Sequence, residues 1–150
     1  MKQLLISIII IITLTGCSYN TDFYIFNNSE QPLHVEYQTK EHSNSEPFVT
    51  DPRIVEFDKD MNIIEIKKAY DFTFESETKI ISCKLSSGQA LWIGRDLNFT
   101  LTNEDEAKIL KDNIRYLKLQ TDNELINATE ENILDLFKTF DIQTVGIEIK

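Results

Sequence analysis

The feature that most constrains this chain is a set of short runs in which apolar and polar residues alternate with a period of two. Leu33, Val35 and Tyr37 fall on one side of such a run, and His34, Glu36 and Gln38 on the other. Tyr70, Phe72 and Phe74 alternate with Asp71, Thr73 and Glu75, and the pattern returns in Ile81, Cys83 and Leu85 and in Val145, Ile147 and Ile149. Successive side chains of an extended strand point to opposite faces, so each run fits a strand with one buried face. Shorter apolar runs at 22–27, 54–57, 62–67, 90–94 and 97–101 add strand candidates, and Asn27 to Pro32 and Ser86 to Gln89 mark turns between them. Many short strands joined by turns predict a mainly β chain, an antiparallel β-sandwich-like single domain.

The spacing predicts one C-terminal helix before the last strand, over 129–140. Thr129 is placed to cap it, Glu130 and Glu131 fill its first turn, and Ile133, Leu134, Phe137 and Phe140 form its apolar stripe. One or two helical turns are also expected over 103–111, capped by Asn103, and a hairpin over 114–127.

Composition narrows the function classes. The 150 residues carry 15 Lys plus Arg against 25 Asp plus Glu, a formal charge of −10. Neutralising nucleic-acid phosphates needs a basic face, so no nucleic-acid partner is expected. Polybasic attachment to anionic lipid is excluded on the same ground. Two Cys cannot build the disulfide framework of a small secreted domain, so the fold must rest on its apolar core.

The first residues carry an address. Lys2 precedes an apolar stretch at 4–14, broken only by Ser7 and Thr13. A helix of that length spans roughly 16 Å, about half a hydrocarbon core, which suits a signal-peptide core better than a membrane span. The stretch runs into Leu14-Thr15-Gly16-Cys17. This resembles the lipobox of bacterial lipoproteins, an aliphatic residue, two small residues and Cys directly after the apolar core. The resemblance covers residues 1–17. It implies cleavage by signal peptidase II between Gly16 and Cys17, and diacylglyceryl attachment to the Cys17 thiol. It also implies a membrane partner reached through that lipid, and a place in the bacterial envelope: outer membrane or periplasm in a Gram-negative cell, the outer cell surface otherwise. The expected organisation is a leader at 1–16, a lipidated tether at 17–22 and a β-rich domain at 23–150. The mature chain would keep 14 basic residues against 25 acidic, a charge of −11. Its body is similar to small bacterial lipoproteins of no named family.

Each candidate site in the body has a plainer account. Asp58-Lys59-Asp60-Met61-Asn62 opens like a calcium loop, but Ile63 and Ala69 stand where the loop needs Gly and Glu, so an acidic β-turn is expected and no metal site. His34 and His42 lack any zinc-ligand spacing. Cys83 with either His would be a nucleophile pair, yet the alternation places it on an apolar face, as a buried small hydrophobe. Tyr70, Phe72 and Phe74 are read as core aromatics rather than an exposed platform. Trp92 is the one residue singled out for binding, on condition that it is exposed. No catalytic residue and no cofactor is assigned.

Two classes of function follow. The first is a non-enzymatic, lipid-anchored envelope protein with a binding or structural role and an unknown protein partner. A variant of it is an immunity or inhibitor protein that neutralises a basic toxin, since opposite charge speeds encounter. The second class is an enzyme acting on envelope polymer, which would need carboxylates or a Cys–His pair to converge in a pocket.

Overall fold

A computed structural model describes residues 18–40, 48–66, 72–75 and 77–150. Among the described residues, eleven strands and one α-helix follow in order: β1 Asn20–Asn27, β2 Leu33–Thr39, β3 Phe48–Phe57, β4 Ile63–Ile66, β5 Phe72–Glu75, β6 Ile80–Leu85, β7 Gln89–Leu97, α1 Glu104–Asn113, β8 Ile114–Gln120, β9 Leu125–Thr129, β10 Lys138–Asp141 and β11 Thr144–Ile149, with a 3₁₀ turn at Ile133–Leu136. The first sheet has the order β10-β11-β1-β7-β3-β4 and the second β5-β6-β2-β8-β9. The chain is a mainly β single domain.

The alternation seen in the sequence builds the core between the sheets. Leu33, Val35 and Tyr37 of β2 and Ile81, Cys83 and Leu85 of β6 point inward, where they meet Phe23 and Ile25 of β1, Leu91 and Ile93 of β7 and Val145 and Ile147 of β11. Phe23 is the aromatic centre, 4.9 Å from the ring of Phe99 and 5.4 Å from that of Phe48. The other faces of β2 and β6 stay polar, as expected for a half-buried sheet.

β1 departs from this plan. Its run Phe23-Tyr24-Ile25-Phe26 is buried on both faces. Tyr24 and Phe26 feed a second, smaller core with Val55, Phe57 and Ala90. The Phe26 ring lies 5.1 Å from Phe57 and 5.0 Å from Phe140, the latter on the edge strand β10. The first sheet therefore curls around Phe26 into a half-barrel. Register shifts interrupt every antiparallel pairing of this sheet, β1 with β7, β3 with β7, β3 with β4 and β10 with β11. Such bulges bend a strand and raise its twist, which supplies the curl.

Three expectations about these elements are corrected. The run at 97–101 is no separate strand, because β7 ends at Leu97 and the chain then turns. The sheets are not wholly antiparallel, because β1 pairs with β11 in parallel, from Asp22 opposite Thr144 to Asn27 opposite Ile149. The helix expected over 129–140 is absent. Thr129 ends β9 opposite Tyr116, a 3₁₀ turn follows, and Lys138 starts β10. The apolar residues had helical spacing but serve different cores: Ile133 and Phe137 go between the sheets, and Phe140 goes to the curl. Thr129 also donates its backbone N–H to Asn132 Oδ1 at 2.8 Å, so the local hydrogen bonds close a turn.

The α-helix is the one expected over 103–111. The Asn103 side chain accepts from the Asp105 and Glu106 N–H groups, three acidic residues occupy the first turn, and Ala107, Leu110 and Asn113 are buried. The 114–127 hairpin is present as β8 and β9. Of the aromatic row, Tyr70 lies outside the described residues, Phe72 packs on the core, and Phe74 is 39 % exposed on the edge strand β5. The core reading of that row therefore holds for Phe72 and fails for Phe74.

Candidate functional site

Trp92 sits in the middle of β7, opposite Tyr24 of β1 and Arg53 of β3. Leu91 and Ile93 take the inward positions, so Trp92 lies on the curled outer face and is half-buried. Its indole N–H donates to Asp22 Oδ1 at 2.8 Å. Arg95 grips the same carboxylate with both arms, Nε to Oδ1 at 2.7 Å and Nη2 to Oδ2 at 3.0 Å. The Arg53 guanidinium stands 5.1 Å from the indole centroid. Tyr24 lies beside this group, and its hydroxyl is pushed up to about 12 by burial and by the Asp22 charge. Trp92 is thus a staple across β1, β7 and β3, with its polar edge satisfied and one face covered by a cation.

The second sheet turns its polar face to solvent. Two cross-strand rows run over it, Ser82–Glu36–Lys118 and Lys84–His34–Gln120. All of these but Lys84 line a shallow depression of about 360 Å³ over Val35 and Cys83. The Tyr116 hydroxyl donates to Glu36 Oε1 at 2.9 Å, and its pKa is pushed up to about 12 by burial, reinforced by the bond to Glu36 and its charge. Lys84 and Lys118 leave this patch less acidic than the chain as a whole. An open surface of this kind offers hydrogen bonds and positive charge to a polar or acidic partner, without enclosing one.

Reactive residues are held apart. Cys83 points into the core between the sheets, and burial pushes its thiol up to about 12. A thiolate is therefore scarce at neutral pH. His34 faces solvent on the opposite side of the same sheet, so the two cannot form a nucleophile–base pair. His42 lies outside the described residues, as do Gly16 and Cys17. Asp58 closes a turn, accepting from the backbone N–H groups of Asp60 at 2.9 Å and Asn62 at 3.0 Å, and from the Asn62 side chain. These bonds, the side-chain one first, hold its carboxyl below the usual range. The acidic β-turn expected there is present. Among the described residues no group of three or more His, Cys, Asp or Glu side chains is placed to hold a metal ion, and no helix is long and apolar enough to cross a membrane.

The polar face of β2 was visible in the alternation of His34, Glu36 and Gln38. Its neighbours Ser82, Lys118 and Tyr116 come from distant runs, and only the strand order brings them together. No protein-family model matches this chain, and no curated protein or solved structure matches it either.

Proposed function

We propose that this chain is a lipid-anchored protein of the bacterial envelope that binds a partner or supports structure without catalysis. The observation that carries the reading is Leu14-Thr15-Gly16-Cys17 directly after an apolar stretch, three residues before the first strand residue, Asn20. Each buried CH₂ of an acyl chain contributes about 0.8 kcal/mol, and two or more chains hold a protein stably at a bilayer. The domain is a sandwich-like scaffold for that anchor. Its inward-facing Cys83 supports a role other than thiol chemistry. The test is Cys17→Ala in cells fed labelled palmitate. The parent chain is expected to take up label and fractionate with membranes, and the variant to do neither. Equal labelling of both would remove the anchor from Cys17.

One observation favours the inhibitor variant of this reading. The loops at the end of the domain away from Tyr19 lie together, because Gly88 bonds Asn27, Phe57 bonds Gly88, and Gln120 pairs with His34. Glu30, Asp60, Asp122 and Glu124 are exposed there and outnumber the exposed Lys59 and Lys150 beside them. An acidic end facing away from the membrane would steer a basic protein toward it, with an association rate that falls as salt screens the charges. Capture from cross-linked envelopes is then expected to recover a basic protein whose binding weakens steeply with salt. Salt-insensitive capture would count against a basic partner.

A further inference from the structure

The domain end that carries Tyr19 has an apolar surface of its own. Tyr19 is pinned there by a reciprocal pair: its N–H donates to Asn98 Oδ1 at 2.9 Å, and the Asn98 N–H donates to its carbonyl at 2.8 Å. Asn98 adopts φ 57°, a left-handed conformation that Asn tolerates better than most residues. Leu97, opposite Asn20, is 59 % exposed on one side of this corner. Ile142, in the β10–β11 turn, is 69 % exposed on the other. That turn is tied to the corner, since Gln143 O accepts the Asp22 N–H at 2.8 Å, and Ile142 and Tyr19 line one cleft with Phe99.

We infer that this end, through Leu97, Ile142 and Tyr19, seats directly on the lipid surface. The inference rests on the anchor proposed at Cys17. Two residues span at most about 7 Å, so acyl chains on Cys17 would begin within that distance of pinned Tyr19. No spacer then separates the domain from the bilayer. Two large aliphatic side chains flanking such an exit enter the interfacial layer, and a tyrosine suits the boundary between apolar and wet surroundings. Charge does not supply the attraction. Arg95 is neutralised by Asp22, and Asp96 and Asp141 flank the same corner. Seating therefore gains nothing from anionic lipid, which would repel Asp96 and Asp141, and that repulsion weakens as salt screens it.

The experiment uses the full lipidated chain reconstituted into phosphatidylcholine vesicles. An environment-sensitive fluorophore is attached in turn to Ile142→Cys, Leu97→Cys and Leu125→Cys, the last 54 % exposed at the far end of the domain. Buried Cys83 does not compete for label in the folded protein. The first two probes are expected to emit at shorter wavelength and to lose most of their emission to a quencher carried on the lipid. The probe at 125 is expected to stay water-like and unquenched. If the protein floats with vesicles but all three probes behave alike, the anchor stands and the seating is wrong. If the protein does not float with vesicles, the anchor reading falls and the seating with it.

Discussion

Gly146→Ala is expected to destabilise the domain by about 3 kcal/mol, the upper part of the range for forcing extra volume into a packed site. A β-carbon at position 146 would lie 2.4 Å from the Tyr24 carbonyl oxygen, 3.0 Å from Phe26 Cε2 and 3.2 Å from the Tyr24 carbonyl carbon. The nearest obstacle is backbone, which has no rotamer to escape through. Tyr24 cannot retreat, because β1 is held by β7 on its other side. The glycine is thus what allows β11 to run alongside β1 with Gly146 opposite Tyr24. Thermal unfolding would show the loss as a fall of about 10 °C in Tm. Gly88→Ala is the control. Gly88 has φ +76° and open space around its missing β-carbon, so that change costs only the strain of a left-handed residue, about 1 kcal/mol. Equal effects of the two substitutions would contradict the parallel pairing of β1 and β11.

Phe26→Ala is expected to be more damaging, at about 4 kcal/mol, in line with truncation of a fully buried aromatic. Phe26 has no exposed surface, and rings of Tyr24, Phe57 and Phe140 surround it. Those neighbours come from β1 itself, from β3 and from the edge strand β10, so the vacancy would lie where the curl closes. The single tryptophan reports on it. Trp92 packs against the same cluster, and its emission is expected to shift toward the red in folded Phe26→Ala. Phe26→Leu keeps most of the volume and is expected to fall between the two in both readouts. A stable Phe26→Ala with unchanged emission would show that the outer face of the first sheet is not a second core.

What could be read in advance follows from how local each signal is. Leu33, Val35 and Tyr37 announce β2 because period-two alternation needs only the strand itself and one buried face. Asn103 and the acidic residues behind it announce α1 through caps and charges within a few positions. The 129–140 segment misleads for the same reason. Its apolar spacing is helical, but Phe137 and Phe140 answer to cores on opposite sides of the first sheet, which is a property of the whole fold. β1 was legible as a strand, whereas its burial on both faces depends on the curl. The role of Trp92 also depended on distant partners. Its neighbours Asp22 and Arg53 lie far away in sequence, and they make the residue singled out for binding a staple between strands as well. The rows around Glu36 required the β6-β2-β8 order, which no single run encodes. Leu14-Thr15-Gly16-Cys17 is the opposite case, a chemical signal complete within four residues.

The most direct measurement is the mass of the N-terminal peptide of the chain purified from membranes of the cells that make it. The account predicts that Cys17 is the first residue and that its sulfur carries a diacylglyceryl group. A chain that begins elsewhere, or one that carries Cys17 as a free thiol, would contradict it.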